Sequence, residues 1–229
     1  MNPINIQTQY NGQTENYANG IMDYNKTSRE LFYKITDFEF KNKNLLDIAS
    51  GDGFDFVEYT RRGATIHGID ASEEFVENAR AQYPHVNLVV GIMEQLPFAD
   101  NSMDIITSKY ALQTSADVPQ VLREITRVLR PGGMLAYIAV HPMRQFLEKK
   151  KAYGADYFLQ EIVESTFFEG KVTAREPSHT LNEYLSATFL KNFNLLYYTE
   201  QPEFPGAERI NGHNYPVFFM VKAQKKEER

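Results

Sequence analysis

Cysteine is absent from the 229 residues. That excludes disulfide frameworks, thiolate metal sites and cysteine nucleophiles. No apolar stretch approaches the roughly 18 residues a bilayer span requires. The opening residues, MNPINIQTQYNGQTENY, are polar and lack the apolar centre of a secretory signal. A cytoplasmic location without membrane contact is therefore expected. Positive charge is in short supply: 24 Lys and Arg stand against 30 Asp and Glu, a net charge of −6. A protein that grips nucleic-acid phosphates needs a basic face, so no nucleic-acid partner is expected. The phosphate-loop pattern G-x-x-x-x-G-K-[ST] does not occur, and there is no internal repeat.

What is present is ordinary for a globular chain, with 42% hydrophobic and 24% charged residues. The length suits one domain over residues 1–229. Residues 1–16 are rich in Asn and Gln, and apolar or aromatic residues from Tyr17 to Ile35 then recur at helical spacing. The spacing predicts one or two short helices there, within an N-terminal helical segment of residues 1–40. A regular alternation follows. Strands are predicted at 44–49, 65–69, 86–90, 104–108 and 134–140, with helices at 54–62, 73–82 and 118–129 and a shorter one at 110–113. Strands alternating with helices form a parallel sheet. Ser72 followed by Glu73 and Glu74 marks a helix start, and RPGG at 130–133 ends a helix and turns the chain into the next strand. Residues 141–180 break the rhythm with FLEKKKAYGADYFLQEIVESTFF and are expected to be a helical, aromatic insertion. A helix at 181–192 and two strands near 194–199 and 217–222 close the chain. The expected fold is α/β, a Rossmann-like doubly wound sheet of seven mostly parallel strands with an antiparallel last strand.

The first strand runs into a turn with little side chain, LLDIASGDGFD at 45–55. Glycines persist where a backbone bends sharply or approaches a ligand, and in doubly wound sheets ligands bind beyond the carboxyl ends of the strands. The dinucleotide fingerprint G-x-G-x-x-G fails, since Phe56 stands where its third glycine would be. The surviving pattern is Asp47, Ala49, Gly51 and Gly53, with Asp70 at the end of the second strand, where a carboxylate can accept both hydroxyls of a ribose.

These residues resemble those of class I S-adenosylmethionine-dependent methyltransferases, especially the small-molecule type 11 group. LLDIASGDGFD is similar to their first motif and IHGIDAS to the second. GIMEQLPFADNSMDIITSKYALQ is similar to the third and fourth, and REITRVLRPGGMLAYIAV to the following helix and fifth strand. The resemblance implies S-adenosylmethionine as cofactor. It places Ala49, Ser50, Gly51 and Gly53 against the methionine and ribose, with Asp47 steadying the turn or the ammonium and Asp70 on the ribose hydroxyls. Ala71, Ile92, Met93 and Glu94 would surround the adenine, and Ser108, Lys109 and Tyr110 would lie by the methionine ammonium. Tyr17 would close over the cofactor, offering its hydroxyl to cofactor or reaction, and Arg29 would meet the carboxylate. The chain departs from the family at Ala49, a glycine in most relatives, and at Ile92, often an aspartate. Gln113 replaces a common histidine, and Lys109 a small or amide residue.

Methyl transfer from a sulfonium mainly needs a positioned nucleophile, so a base is optional. His141, directly after the fifth strand, is the candidate proton acceptor. Gln113, His141, Tyr157 and His179 are the candidate acceptor-site residues. His67, His85 and His213 read as structural or exposed, and Lys149–Lys151 as a solvated helix face. No metal cluster is evident. The expected activity is methylation of a small molecule at oxygen or nitrogen, with the oligomeric state open. The alternatives are an RNA or protein methyltransferase, or a non-catalytic cofactor-binding scaffold.

Overall fold

A computed structural model describes residues 9, 10, 12, 14–16, 19, 25–153, 156–167, 171–202 and 214–227. Tyr17 and Tyr24 of the expected N-terminal segment lie outside them. Helix α1 spans Lys26–Ile35 and precedes strand β1, Asn44–Ile48. Then come α2 (Phe56–Arg61), β2 (Thr65–Asp70), α3 (Glu73–Gln82), β3 (Asn87–Val90) and β4 (Met103–Lys109). A 3-10 turn at Leu112–Thr114 leads to α4 (Val118–Val128) and β5 (Leu129–Val140). The remaining elements are α5 (Pro142–Tyr153), β6 (Ile162–Phe167), β7 (Val172–Pro177), α6 (Leu181–Tyr184), α7 (Ala187–Asn192), β8 (Phe193–Gln201) and β9 (Phe218–Lys225).

Seven strands form one sheet in the order β3-β2-β1-β4-β5-β9-β8. The first five run parallel. Strand β9 enters antiparallel between β5 and β8. This is the expected doubly wound sheet, with the reversal at its last strand. The order switches direction between β1 and β4, so the loops after these strands diverge and open a crevice at their carboxyl ends.

Alternation along each strand sends side chains to opposite faces. Leu45 and Ile105 pack with Phe56, Tyr59, Val76 and Ala79 beneath α2 and α3. Leu46, Ile48 and Ile106 pack on the other face with the apolar residues of α4, α6 and α7. Helix α4 presents Val118, Val121, Leu122, Ile125 and Val128, all fully buried, at the 3-and-4 spacing of one helix face. Its start is fixed by Asp117, whose side chain accepts from the Gln120 N–H at 2.9 Å. Ser72 caps α3 in the same way.

Several elements differ from expectation. RPGG lies inside β5: pairing slips from Met103↔Leu129 to Ile105↔Met134, so the four residues bulge from the strand, with Gly132 at φ +73°. The single helix expected over 181–192 is two, because Ser186 caps a fresh start by accepting from the Phe189 N–H. The insertion is less helical than expected. After α5 it forms a two-stranded hairpin, β6 with β7, which suits the alternating, β-branched sequence Ile162–Phe167.

Lys149, expected on a solvated face, has a side chain only 2% exposed. Its Nζ donates to the carbonyls of Asp156 (2.6 Å) and Leu159, and pairs with Glu161 at 2.8 Å. The lysine thereby fastens the loop between α5 and β6. No helix among the described residues is long and apolar enough to cross a membrane. Lys149→Ala would leave two carbonyls and a carboxylate without their shared donor. Chemical unfolding should show a loss of about 1–3 kcal/mol; an unchanged midpoint would mean that the clamp contributes nothing.

Candidate active site

The crevice beyond β1 and β4 holds two adjoining cavities. The larger, about 600 Å³ including its open mouth, is floored by Ile48, Ala49 and Gly51 and walled by Ile69, Asp70, Ala71, Phe75 and Met93 on one side. Lys109, Tyr110, Ala111 and Thr114 form the other wall, and Tyr10 reaches in from the N-terminal segment. That segment is tied down locally. Thr14 Oγ1 and the Gly12 N–H both donate to Glu74 (2.6 and 3.1 Å), and Gln9 Oε1 accepts from the Arg175 N–H of β7 at 3.2 Å. The smaller cavity, about 340 Å³, shares Ala49, Gly51 and Lys109 with the first and adds Arg29, Asp47, Ser50, Asp52, Phe54 and Asp55.

The turn between β1 and α2 explains the shared floor. Gly51 sits at φ +56°, and a Cβ there would meet nothing within 4 Å, so its backbone faces open space. Gly53 sits at φ +82°, and a Cβ would strike Phe56 at 2.4 Å; this glycine serves packing beneath the turn. Two non-glycine residues also take left-handed backbone at the crevice, Ala49 (φ +54°) and Tyr110 (φ +56°). They follow β1 and β4 directly, and strained backbone of this kind gathers at functional sites.

Asp70 closes the far side of the turn. Its Oδ2 accepts from the Gly51 N–H at 2.8 Å and its Oδ1 from the Ser72 N–H at 2.9 Å. Burial pushes the carboxyl up to about 6, although the backbone N–H groups of Ser72, Gly51 and Ala71 pull it down. Three backbone N–H groups of the chain thus act on a carboxylate with roughly four lone-pair positions, leaving some acceptor capacity toward the cavity.

A buried charge network backs the smaller cavity. Lys109 Nζ lies 3.4 Å from Asp47 Oδ1 and 3.3 Å from Asp55 Oδ2, and donates to the Tyr59 hydroxyl at 2.5 Å. Tyr59 donates to Thr107 Oγ1 at 3.1 Å, and Thr107 donates to Asp47 at 2.6 Å. Asp55 also accepts from Arg29 and from the Tyr33 hydroxyl. Arg29 stands over the Phe54 ring at 4.9 Å, and Lys109 over Phe32 at 4.8 Å. Burial alone would raise Asp55, but Lys109 and Arg29 more than reverse it and hold the carboxyl at about 2. At Asp47 burial outweighs the pull of Lys109, and the carboxyl is raised.

Of the residues predicted from sequence, Ala49, Gly51, Asp70, Ala71, Met93, Lys109 and Tyr110 line the larger cavity, and Arg29, Asp47 and Ser50 the smaller. Tyr17 lies outside the described residues, and Gly53, Ile92, Glu94, Ser108, Gln113, His141, Tyr157 and His179 stand apart from both linings. Ile92 is 40% exposed. The Glu94 carbonyl accepts from Gln120 at 3.0 Å. Ser108 is buried, its hydroxyl donating to the Ile48 carbonyl at 3.1 Å. Gln113 and His179 meet behind the 3-10 turn, with His179 Nε2 3.0 Å from the Gln113 carbonyl and Nδ1 2.7 Å from Glu183. The Tyr157 hydroxyl accepts from the Leu181 N–H at 2.9 Å. His141 Nδ1 accepts from the Met143 N–H at 3.0 Å, which leaves the ring proton on Nε2, facing Glu200 at 3.1 Å. Burial lowers the affinity of His141 for a second proton, against the opposing pull of Glu200.

Sequence reasoning did not single out Asp52, Asp55, Tyr33, Tyr59, Phe75 or Thr114. Asp52 and Asp55 lay within the quoted first motif, but only the fold reveals that Lys109 and Arg29 converge on Asp55. No cluster of three metal-ligating side chains occurs among the described residues.

Comparison with known proteins agrees with this fold. A methyltransferase-domain family, Methyltransf_11, matches residues 46–137, from β1 through most of β5. An S-adenosylmethionine-dependent methyltransferase from Mesorhizobium loti superposes with a TM-score of 0.69 at 20% identity, covering 85% of this chain and 96% of that one. One from Methanosarcina mazei gives 0.65 at 19% identity, with 85% and 97% covered. The chain has the class I S-adenosylmethionine-dependent methyltransferase fold. In this methyltransferase fold the two cavities occupy the first strand-to-helix crevice. In sequence, the chain is 41% identical over 110 residues to the biotin biosynthesis bifunctional protein BioHC of Cellvibrio japonicus, 48% of this chain and 22% of that protein. It is 35% identical over 105 residues to a demethylmenaquinone methyltransferase of Chlorobaculum parvum, 45% of this chain and 42% of that protein. The chain thus spans less than half the length of these curated relatives.

Ala49 holds left-handed backbone that costs an L-residue roughly 1–2 kcal/mol. Ala49→Gly relieves it while adding the chain entropy of glycine, so thermal unfolding should report a net gain of up to about 1 kcal/mol. A net loss would show that the Ala49 methyl packs productively against the core.

Proposed function

We propose that this protein is an S-adenosylmethionine-dependent methyltransferase that methylates a small molecule on oxygen or nitrogen. The observation that carries the reading is Asp70: a carboxylate with spare acceptor capacity at the end of β2, beside a turn whose Gly51 backbone faces open space. The donor set suits the cofactor. Apolar Ile69, Ala71, Phe75 and Met93 offer a slot for a flat base, Asp70 accepts from ribose hydroxyls, and Arg29 at the far end suits a carboxylate. Tyr17 remains part of this reading as a closing residue.

When bound, the cofactor supplies a methyl group already activated by its sulfonium. The chain's own residues need to bind, align and exclude water. Alignment of two reactants in attack geometry is worth roughly 7–11 kcal/mol in favourable systems. Tyr110 and Thr114 border the cavity on the side of Gln113 and His179, so the acceptor would enter there. With its Nδ1 bonded and its Nε2 facing Glu200, His141 would take a proton only after the Glu200 contact opens. The reaction is therefore assigned mainly to positioning. The acidic net charge favours a metabolite over RNA. The acceptors named for the relatives are not carried over, because less than half of this chain matches them.

Calorimetry with S-adenosylhomocysteine tests the cofactor site. Ribose hydroxyls need the ionised carboxylate, and Asp70 titrates at about 6. Affinity should be constant above that value and fall as pH drops through it, with proton release on binding near pH 6. Asp70→Asn should weaken binding by about tenfold or more at pH 8 and flatten the pH dependence. Binding that is indifferent to both pH and substitution would sink the assignment. Transfer of labelled methyl from S-adenosylmethionine to a panel of hydroxyl- and amine-bearing metabolites tests the activity. Tight binding with transfer to none would favour a non-catalytic cofactor binder.

A further inference from the structure

The insertion carries an acid that the cofactor site does not use. Glu176 of β7 is the only buried glutamate among the described residues, at 1% exposure. Its donors are neutral amides: Gln145 Nε2 of α5 at 3.0 Å, and the side chain of Gln113 in the 3-10 turn, against which β7 packs. Arg144 of α5 also draws on it, but that guanidinium is bonded to Glu148 at 3.2 Å, and Glu148 pushes the other way. The remaining charges around the joint are matched elsewhere. Lys149 pairs with Glu161, His179 Nδ1 faces Glu183, and Arg175 and Glu164, opposite each other on β7 and β6, are exposed. A buried carboxylate held by amides is costly, whereas a neutral carboxylic acid is not. Burial accordingly pushes Glu176 up to about 7, against the pull of both amides and Arg144. The neutral acid also adds a donor where two buried atoms need one. Gln113 Oε1 and the Tyr184 hydroxyl find no hydrogen-bond partner among the described residues, and both side chains interact with Glu176. Gln113 Nε2 in turn donates to the Tyr110 carbonyl at 2.7 Å, and Tyr110 and Thr114 wall the larger cavity.

Resting on the acceptor-side reading above, we propose that Glu176 is a positioning residue that works as a neutral acid. Its proton fastens β7 to the 3-10 turn and so holds the wall where the acceptor enters, and loss of that proton loosens the wall. An acid that binds its proton more tightly in the closed joint than in solvent stabilises the closed joint at low pH. That contribution is lost as pH rises through about 7. The polar base under the glycine turn keeps its charge over the same range, because Asp55 is held at about 2. The acceptor side therefore gains freedom above neutrality while the base of the cofactor crevice does not.

Amide resonances and hydrogen-exchange rates of the full chain, recorded without cofactor or acceptor, test this. Two amides report on the joint: His179, whose N–H bonds Gln145, and Thr114, whose N–H closes the 3-10 turn. In the folded protein both resonances should titrate with a midpoint near 7. Their protection from exchange, corrected for intrinsic rates, should fall by about tenfold between about pH 6 and pH 8. Glu176→Gln puts a permanently neutral amide in the same place and should abolish both changes. A wild type that stays flat overturns the proposal. A titration that survives in the variant belongs to His179 and overturns it as well. Should the variant not fold, infrared spectra of the wild type with isotope-labelled glutamate decide alone. The band of a buried, protonated glutamate should be present at about pH 6 and gone by about pH 8; its absence at the lower value or persistence at the higher one overturns the proposal. These measurements contain no cofactor and no acceptor, so their failure leaves the methyltransferase reading standing. Failure of that reading shows instead in the labelled-methyl assay.

Discussion

The site depends on a pairing of buried charges, Asp47 and Asp55 with Lys109 and Arg29. Breaking one partner out of such a set typically costs about 3–5 kcal/mol, because the remaining charge stays buried without compensation. That cost ties together parts of the chain remote in sequence. Arg29 comes from α1, Asp47 from the end of β1, Asp55 from the turn below, and Lys109 from the end of β4. Asp55 is reached by donors from both α1 and β4, and Asp47 by two donors of β4, so the turn between β1 and α2 cannot move without disturbing α1 and β4 together. The bare backbone of Ala49 to Gly53 is thus suspended over a rigid polar base. That is what preorganised binding of a small, polar ligand end requires.

The same base accounts for the strain beside it. Ala49 and Tyr110 are the first residues past β1 and β4, and both hold left-handed backbone. The Ser108 hydroxyl bonds the Ile48 carbonyl and the Ser50 N–H bonds the Ile69 carbonyl, so the strand ends are laced across the sheet up to their last residue. The chain then has to leave the sheet abruptly on both sides of the switch point. Left-handed residues are a compact way to do so, and they leave backbone rather than side chain facing the crevice.

Much of this was legible in the sequence, for physical reasons. Strands β1 to β5 alternate with helices whose caps and apolar faces are local features, and α3 was readable to its ends from Ser72 and its acids. Asp70 was readable as a candidate from its place at the end of the second strand, beyond the glycine turn. Lys109 was placed at the crevice by the resemblance, but its network was not legible, since pairing across 50 to 62 residues leaves no local pattern. Lys149 escaped because a run of three lysines suggests a solvated face, whereas the carbonyls of Asp156 and Leu159 bury the first of them. The β6–β7 hairpin was obscured by neighbouring aromatic and charged residues that share helical and strand periods. Ser186 restarted a helix that periodicity alone would have run through.

The insertion is joined to the 3-10 turn beside the crevice by a chain of hydrogen bonds. Buried Gln145 on α5 donates to the Glu176 carboxylate and the Pro177 carbonyl (both 3.0 Å) and accepts from the His179 N–H at 3.1 Å. His179 then contacts the Gln113 carbonyl of the 3-10 turn. Burial raises Glu176 to about 7, although the Gln145 amide pulls it down, so this joint is partly protonated near neutrality. The Gln113 Oε1, itself buried, finds no hydrogen-bond partner among the described residues. The two sides of the crevice are accordingly held by different chemistry, ion pairs beneath the glycine turn and amide hydrogen bonds beside the 3-10 turn.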